Sequence, residues 1–104
     1  MIKFALLVTL EAKPGKEKDV ENFLRSGLAI VQDEPDTATW YALKLGGSKY
    51  GIFDTFPHEE GRKAHLAGRV AEALMKNAPD LLAKDPVIEF VDILAAKSGS
   101  MVDA

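Results

Sequence analysis

From Ile2 to Ala12 the apolar positions fall on both alternating sets. Phe4, Leu6, Val8 and Leu10 interleave with Ala5, Leu7, Thr9 and Glu11, which predicts a strand covered on both sides. Pro14-Gly15 breaks the run, and the period then changes. Val20, Phe23, Leu24, Leu28 and Val31 recur at helical spacing and predict a helix from Lys16 to Gln32. Glu17 and Asp19 sit in its first turn, where the helix dipole favours anions. Asp33-Glu34-Pro35-Asp36 ends it, because a proline disfavours the α conformation in the residue before it. Two β-rich segments, Thr37–Leu45 and Lys49–Phe56, flank Gly46-Gly47-Ser48 and read as a hairpin. Pro57 opens a second helix that runs to Asn77-Ala78-Pro79, with a further turn over Asp80–Ala83. Its apolar arc holds Ala64, Leu66, Ala67, Val70, Ala71 and Leu74; the polar arc holds Arg62, His65, Arg69, Glu72 and Lys76. A last strand, Val87–Ala95, is again apolar on both faces apart from Glu89 and Asp92.

The order β-α-β-β-α-β is the ferredoxin-like, split-βαβ arrangement of the α+β class: a four-stranded antiparallel sheet with two helices on one face. Two helices cover one face only, yet the first and last strands are apolar on both. A bare apolar face exceeds what soluble monomers expose, so a homodimer packed sheet to sheet is expected. Residues 1–97 are expected to form this one domain, and 98–104 a polar C-terminal tail.

Composition narrows the chemistry. The chain has 104 residues, 47% of them hydrophobic, with a net charge of −3 and no cysteine. That length fits a single core. The cysteine count removes disulfides, thiolate metal sites and cysteine nucleophiles. The acidic balance argues against nucleic acid as a partner. No apolar run approaches the roughly 20 residues of a membrane span. Phe4–Val8 lacks a cleavage motif and is read as a strand rather than a signal peptide, which leaves the cytoplasm as the default location.

Three segments carry a family resemblance. They are Leu7–Gly15, the acidic-proline approach Glu34–Trp40, and Ile52-Phe53-Asp54-Thr55-Phe56 followed by Ala64-His65-Leu66 on a helix. Together they resemble the antibiotic biosynthesis monooxygenase-like family, whose members are dimeric α+β barrels, and the likeness extends to about Lys97. The resemblance implies a cofactor-independent monooxygenase acting on a small aromatic or quinol-like substrate. The haem-degrading branch fits poorly, with Leu7, His65 and Met75 in its asparagine, tryptophan and histidine slots.

Under that reading the substrate itself reduces dioxygen, and the protein supplies an apolar pocket and a proton-handling group. His65, with an unperturbed pKa near neutrality, is the candidate catalytic base. Trp40, Phe53 and Phe56 are candidate aromatic walls, Tyr41 or Tyr50 a hydroxyl, and Arg62 or Arg69 a balancing charge. Each also has a structural reading: His65 as a solvated residue of the polar arc, Trp40 as core or dimer interface, Phe53 and Phe56 as core. Asp54 is read as a structural acid that needs a partner. No cofactor and no metal are expected. His58 and His65 share a helical face with Arg62 between them, whose charge repels a cation. Gly46-Gly47-Ser48-Lys49 lacks the spacing of a phosphate-binding loop. Gly61 and Gly68 cost a helix about 1 kcal/mol each relative to alanine, so they mark either close packing or a break. Two rival functions stay open: a non-catalytic small-molecule binding or regulatory module, and a cofactor-free isomerase or lyase.

Overall fold

A computed structural model of the chain describes residues 2–97; the polar tail expected over 98–104 lies outside the described residues. The elements are β1 (Phe4–Glu11), α1 (Glu17–Val31), β2 (Thr39–Gly46), β3 (Lys49–Phe56), α2 (Glu59–Leu66), α3 (Arg69–Leu81) and β4 (Val87–Asp92). The strands form one antiparallel sheet in the order β2-β3-β1-β4. This is the α+β ferredoxin-like fold. The Pro14-Gly15 turn is made by Gly15 at φ +84°, and the hairpin by Gly46 and Gly47 at φ +115° and +58°. Glycine adopts such positive-φ conformations without steric cost.

Register divides the sheet into two faces, because directly paired antiparallel residues project to the same side. Leu6, Val8 and Leu10 of β1 pair with Asp54, Ile52 and Tyr50 of β3. Val8, Leu10, Tyr50 and Ile52 meet Val20 and Leu24 of α1 and Leu74 and Ala78 of α3 in the core. The other face carries Leu7, Phe53, Tyr41, Leu43 and Val91. No helix covers it, and Tyr41 is 48% exposed.

The expected second helix is two helices. The chain leaves the α conformation at Gly68, whose φ/ψ of −88°/−175° is extended, and α3 restarts at Arg69. The break corrects the expected arcs. Val70, Leu74 and Ala78 face inward on α3, whereas the inward face of α2 is Gly61, Arg62 and His65. Ala64 and Ala67, expected inside, are exposed. A helical phase set by the apolar residues of α3 does not extend across the break. Pro79 also lies inside α3 rather than ending it.

Gly61 allows α2 to dock. A Cβ there would lie 2.8 Å from the Asp36 carbonyl oxygen, so no larger residue permits this approach to the α1–β2 loop. Gly68 serves both readings: it breaks the helix, and a Cβ on it would meet Glu34 Oε2 at 3.3 Å.

Candidate functional site

The α1–β2 loop, the end of α2 and the start of α3 enclose a groove of about 250 Å³. Its apolar wall is Ile30, Pro35 and Ala64, with Gly61 and Gly68 leaving room; its polar groups are Asp33, Glu34, Asp36, Thr37, His65 and Arg69. That volume lies just below the roughly 300–1,000 Å³ of sites for drug-sized ligands, which fits a one- or two-ring molecule.

His65 forms one wall and is only 7% exposed. Its Nδ1 donates to Glu34 Oε1 at 2.6 Å, and the same oxygen accepts from Thr37 Oγ1 at 2.8 Å. Its Nε2 stands 2.9 Å from Asp54 Oδ2. That second contact is a close ion pair lacking hydrogen-bond alignment, and neither oxygen of the fully buried Asp54 receives a hydrogen bond among the described residues. The Phe56 ring packs on the imidazole at 5.4 Å between centroids.

Electrostatics decide the state of the ring. Burial pushes the His65 pKa down and is the largest single effect, but the Asp54 and Glu34 carboxylates together outweigh it. The net shift is upward from the usual histidine value. Its place in the last turn of α2, near the negative end of the helix dipole, acts in the same direction. His65 is thus held between β3 and the α1–β2 loop with a carboxylate facing each ring nitrogen, an arrangement that favours the imidazolium. An imidazolium has no lone pair with which to accept a proton.

Apart from Phe56 and Arg69, the remaining candidates stand away from His65. Phe56 touches the imidazole from the core side and is fully buried. Trp40 pairs with Asp54 across the hairpin and lies over α1 at Gly27, where a Cβ would meet its ring at 3.3 Å. It lines a separate recess with Leu28 and Val31, and its Nε1 is buried without a hydrogen-bond partner among the described residues. Phe53 projects from the open face of the sheet, opposite the groove. Arg62 is buried at the β1–β4 edge, its guanidinium stacked 5.3 Å from the Phe4 ring and 4.7 Å from Phe90. It donates to the Ala5 and Val91 carbonyls and pairs with Glu59. Tyr50 donates to Glu21 Oε2 at 2.6 Å; that bond and burial push its pKa up to about 12, so it keeps its proton. The groove takes Arg69 rather than Arg62 as its arginine.

Sequence reasoning missed Glu34 as a site residue, although Glu34-Pro35-Asp36 stood out as a motif. The partner of Glu34 lies 31 residues away and on another element, and no periodicity signals such a pairing. For Asp54 the need for a partner was legible from its apolar strand.

Neither a protein-family model nor a curated protein matches the chain. Among solved structures, a protein of unknown function from Nitrosomonas europaea is 51% identical, covering 96% of this chain and 97% of that one, with a TM-score of 0.92. A structure from Caulobacter crescentus, described as "a putative antibiotic biosynthesis monooxygenase", is 20% identical over 90% of this chain and 92% of its own, at a TM-score of 0.77. A second Nitrosomonas europaea structure with the same description is 12% identical over 92% and 94%, at 0.80. The last two share the fold with this chain.

Proposed function

Since the chain belongs to the family of the 51%-identical Nitrosomonas europaea protein and has the fold of the antibiotic biosynthesis monooxygenase-like proteins, we propose that it is a homodimeric, cofactor-independent monooxygenase of a small aromatic or quinol-like substrate. The observation that carries this reading is His65, with a carboxylate facing each ring nitrogen, in the wall of a largely apolar groove. An electron-rich ring becomes able to reduce dioxygen once it loses a proton. A histidine whose protonated form is favoured, placed in the wall of the groove, stabilises the resulting anion. His65 thus serves as an electrostatic stabiliser rather than as the base. Oxidation of an activated ring methylene to a carbonyl, with water as the second product, balances with dioxygen alone. The homodimer is supported by the uncovered apolar face around Leu7, Leu43, Phe53 and Val91. No helix among the described residues is long and apolar enough to cross a membrane.

One observation favours a second reading, a non-catalytic binding module. Both ring nitrogens of His65 already face carboxylates, which is also how a purely structural clamp is built. Oxygen uptake separates the two. With reduced naphthoquinol or anthrone, and no added flavin or metal, the monooxygenase consumes oxygen above the autoxidation rate and His65→Gln lowers that rate at least tenfold. Uptake at the autoxidation rate across the panel, with ligand binding retained, assigns the binding module.

A further inference from the structure

Hydrogen-bonding capacity in the groove is unevenly used. Glu34 Oε1 already accepts from His65 and Thr37, whereas Oε2 takes no hydrogen bond among the described residues. That second oxygen stands where the break between α2 and α3 leaves the wall without a side chain, 3.3 Å from the place a Cβ of Gly68 would occupy. It is an acceptor on a carboxylate that lines the groove and whose side chain is 19% exposed. It can therefore accept from water or from a donor that a ligand brings into the groove.

The charges around it restrict the ligand further. Asp33, Glu34 and Asp36 line the groove against Arg69 and His65, so a ligand that arrives already anionic meets more negative groups than positive, whereas one that loses its proton to Glu34 inside the groove adds no net charge. The walls formed by Ile30, Pro35 and Ala64 suit a flat apolar body. We propose that Glu34 is the ligand-contacting acceptor of this groove, that His65 and Thr37 are its positioning residues, and that it receives the hydroxyl of a neutral ring-hydroxylated aromatic. This rests on the groove being the substrate site and identifies the group that takes the hydroxyl proton in place of His65. The chemistry is simple: the substrate O–H donates to Oε2, and the imidazolium on Oε1 compensates the charge of the pair.

Three redox-inert probes test it on the full chain by calorimetric titration at pH 7: 2-naphthol, its methyl ether and 2-naphthoate. A hydrogen bond to a carboxylate predicts that 2-naphthol binds at least about tenfold tighter than either analogue. Glu34→Gln is expected to reduce the naphthol preference to within about threefold while leaving the ether unchanged, which also shows that the variant is folded. Should that variant not fold, Gly68→Ala, which places a methyl against Oε2, gives the same loss of preference. His65→Gln weakens naphthol and not the ether, a split that a loss of fold would not produce. Equal binding of naphthol and ether, naphthoate as the tightest ligand, a preference that survives Glu34→Gln, or no binding at all overturns the inference. If naphthol preference holds while quinols and anthrone give no oxygen uptake, the Glu34 assignment stands and the monooxygenase reading falls. Oxygen uptake without naphthol preference does the reverse.

Discussion

Removing His65 tests the clamp most severely. His65→Ala leaves Asp54, which has no solvent exposure, with its charge unpaired in the core. Breaking a buried pair by deleting one partner costs about 3–5 kcal/mol. A domain of this size holds about 5–15 kcal/mol in all, so the variant loses about a fifth of its stability or more. At about 4–8 °C per kcal/mol, its Tm falls by roughly 12 °C or more. Asp54→Ala is milder, because His65 keeps its bond to Glu34. In the double variant no buried carboxylate is stranded on β3, so the second substitution costs less than it does alone. Urea unfolding of the four proteins, at one fixed protein concentration, measures the coupling. The expected value is about 2–3 kcal/mol, near the upper end for residues in direct contact. Additivity within about 0.5 kcal/mol would show that the 2.9 Å contact carries no energy and refute the clamp.

Three further outcomes follow from the same geometry. The folded-state pKa of His65 lies above its unfolded value near 6.5. Its contribution is therefore complete below pH 6.5 and is lost as pH rises through the raised folded value, with a slope of up to about 1.4 kcal/mol per pH unit. Urea midpoints from pH 6 to 9 are expected to fall more steeply in the wild type than in His65→Gln, and parallel profiles would contradict this. Gly61→Ala gains about 1 kcal/mol of helix propensity but puts a Cβ 2.8 Å from a backbone oxygen; a net loss of about 1–2 kcal/mol is expected in the same assay, and a stabilised variant would show that the loop yields freely. Phe53→Glu places a charge in the middle of the open sheet face and is expected to convert a sedimenting dimer to a monomer that retains its helical circular dichroism. A wild type that sediments as a monomer at micromolar concentration would remove the dimer.

The sheet was largely legible from periodicity. β3 has the bounds its pattern predicts, Lys49–Phe56, and β1 and α1 end within two residues of theirs, because local hydrophobic spacing and glycine or proline punctuation decide such elements. The site was less legible, for a definable reason. Gly68 interrupts the second helix, and the helical phase was read from the apolar residues on its far side. Carried across the break, that phase turned His65 and Arg62 outward, where α2 in fact buries them. α2 is an amphipathic helix inverted in chemistry: its inner face is polar and meets carbonyls and carboxylates from four other segments, β1, β3, β4 and the α1–β2 loop. The pairing of His65 with Glu34 depends on how α2 docks on the α1–β2 loop, and Gly61 is the local trace of that docking.

The ionisation state of His65 underlies both the clamp and the proposed chemistry, and imidazole nitrogen NMR of the full chain reads it directly. The expected result is a titration midpoint above the ordinary histidine value of about 6.5, with both ring nitrogens protonated below that midpoint. A midpoint at or below about 6.5 would contradict the account.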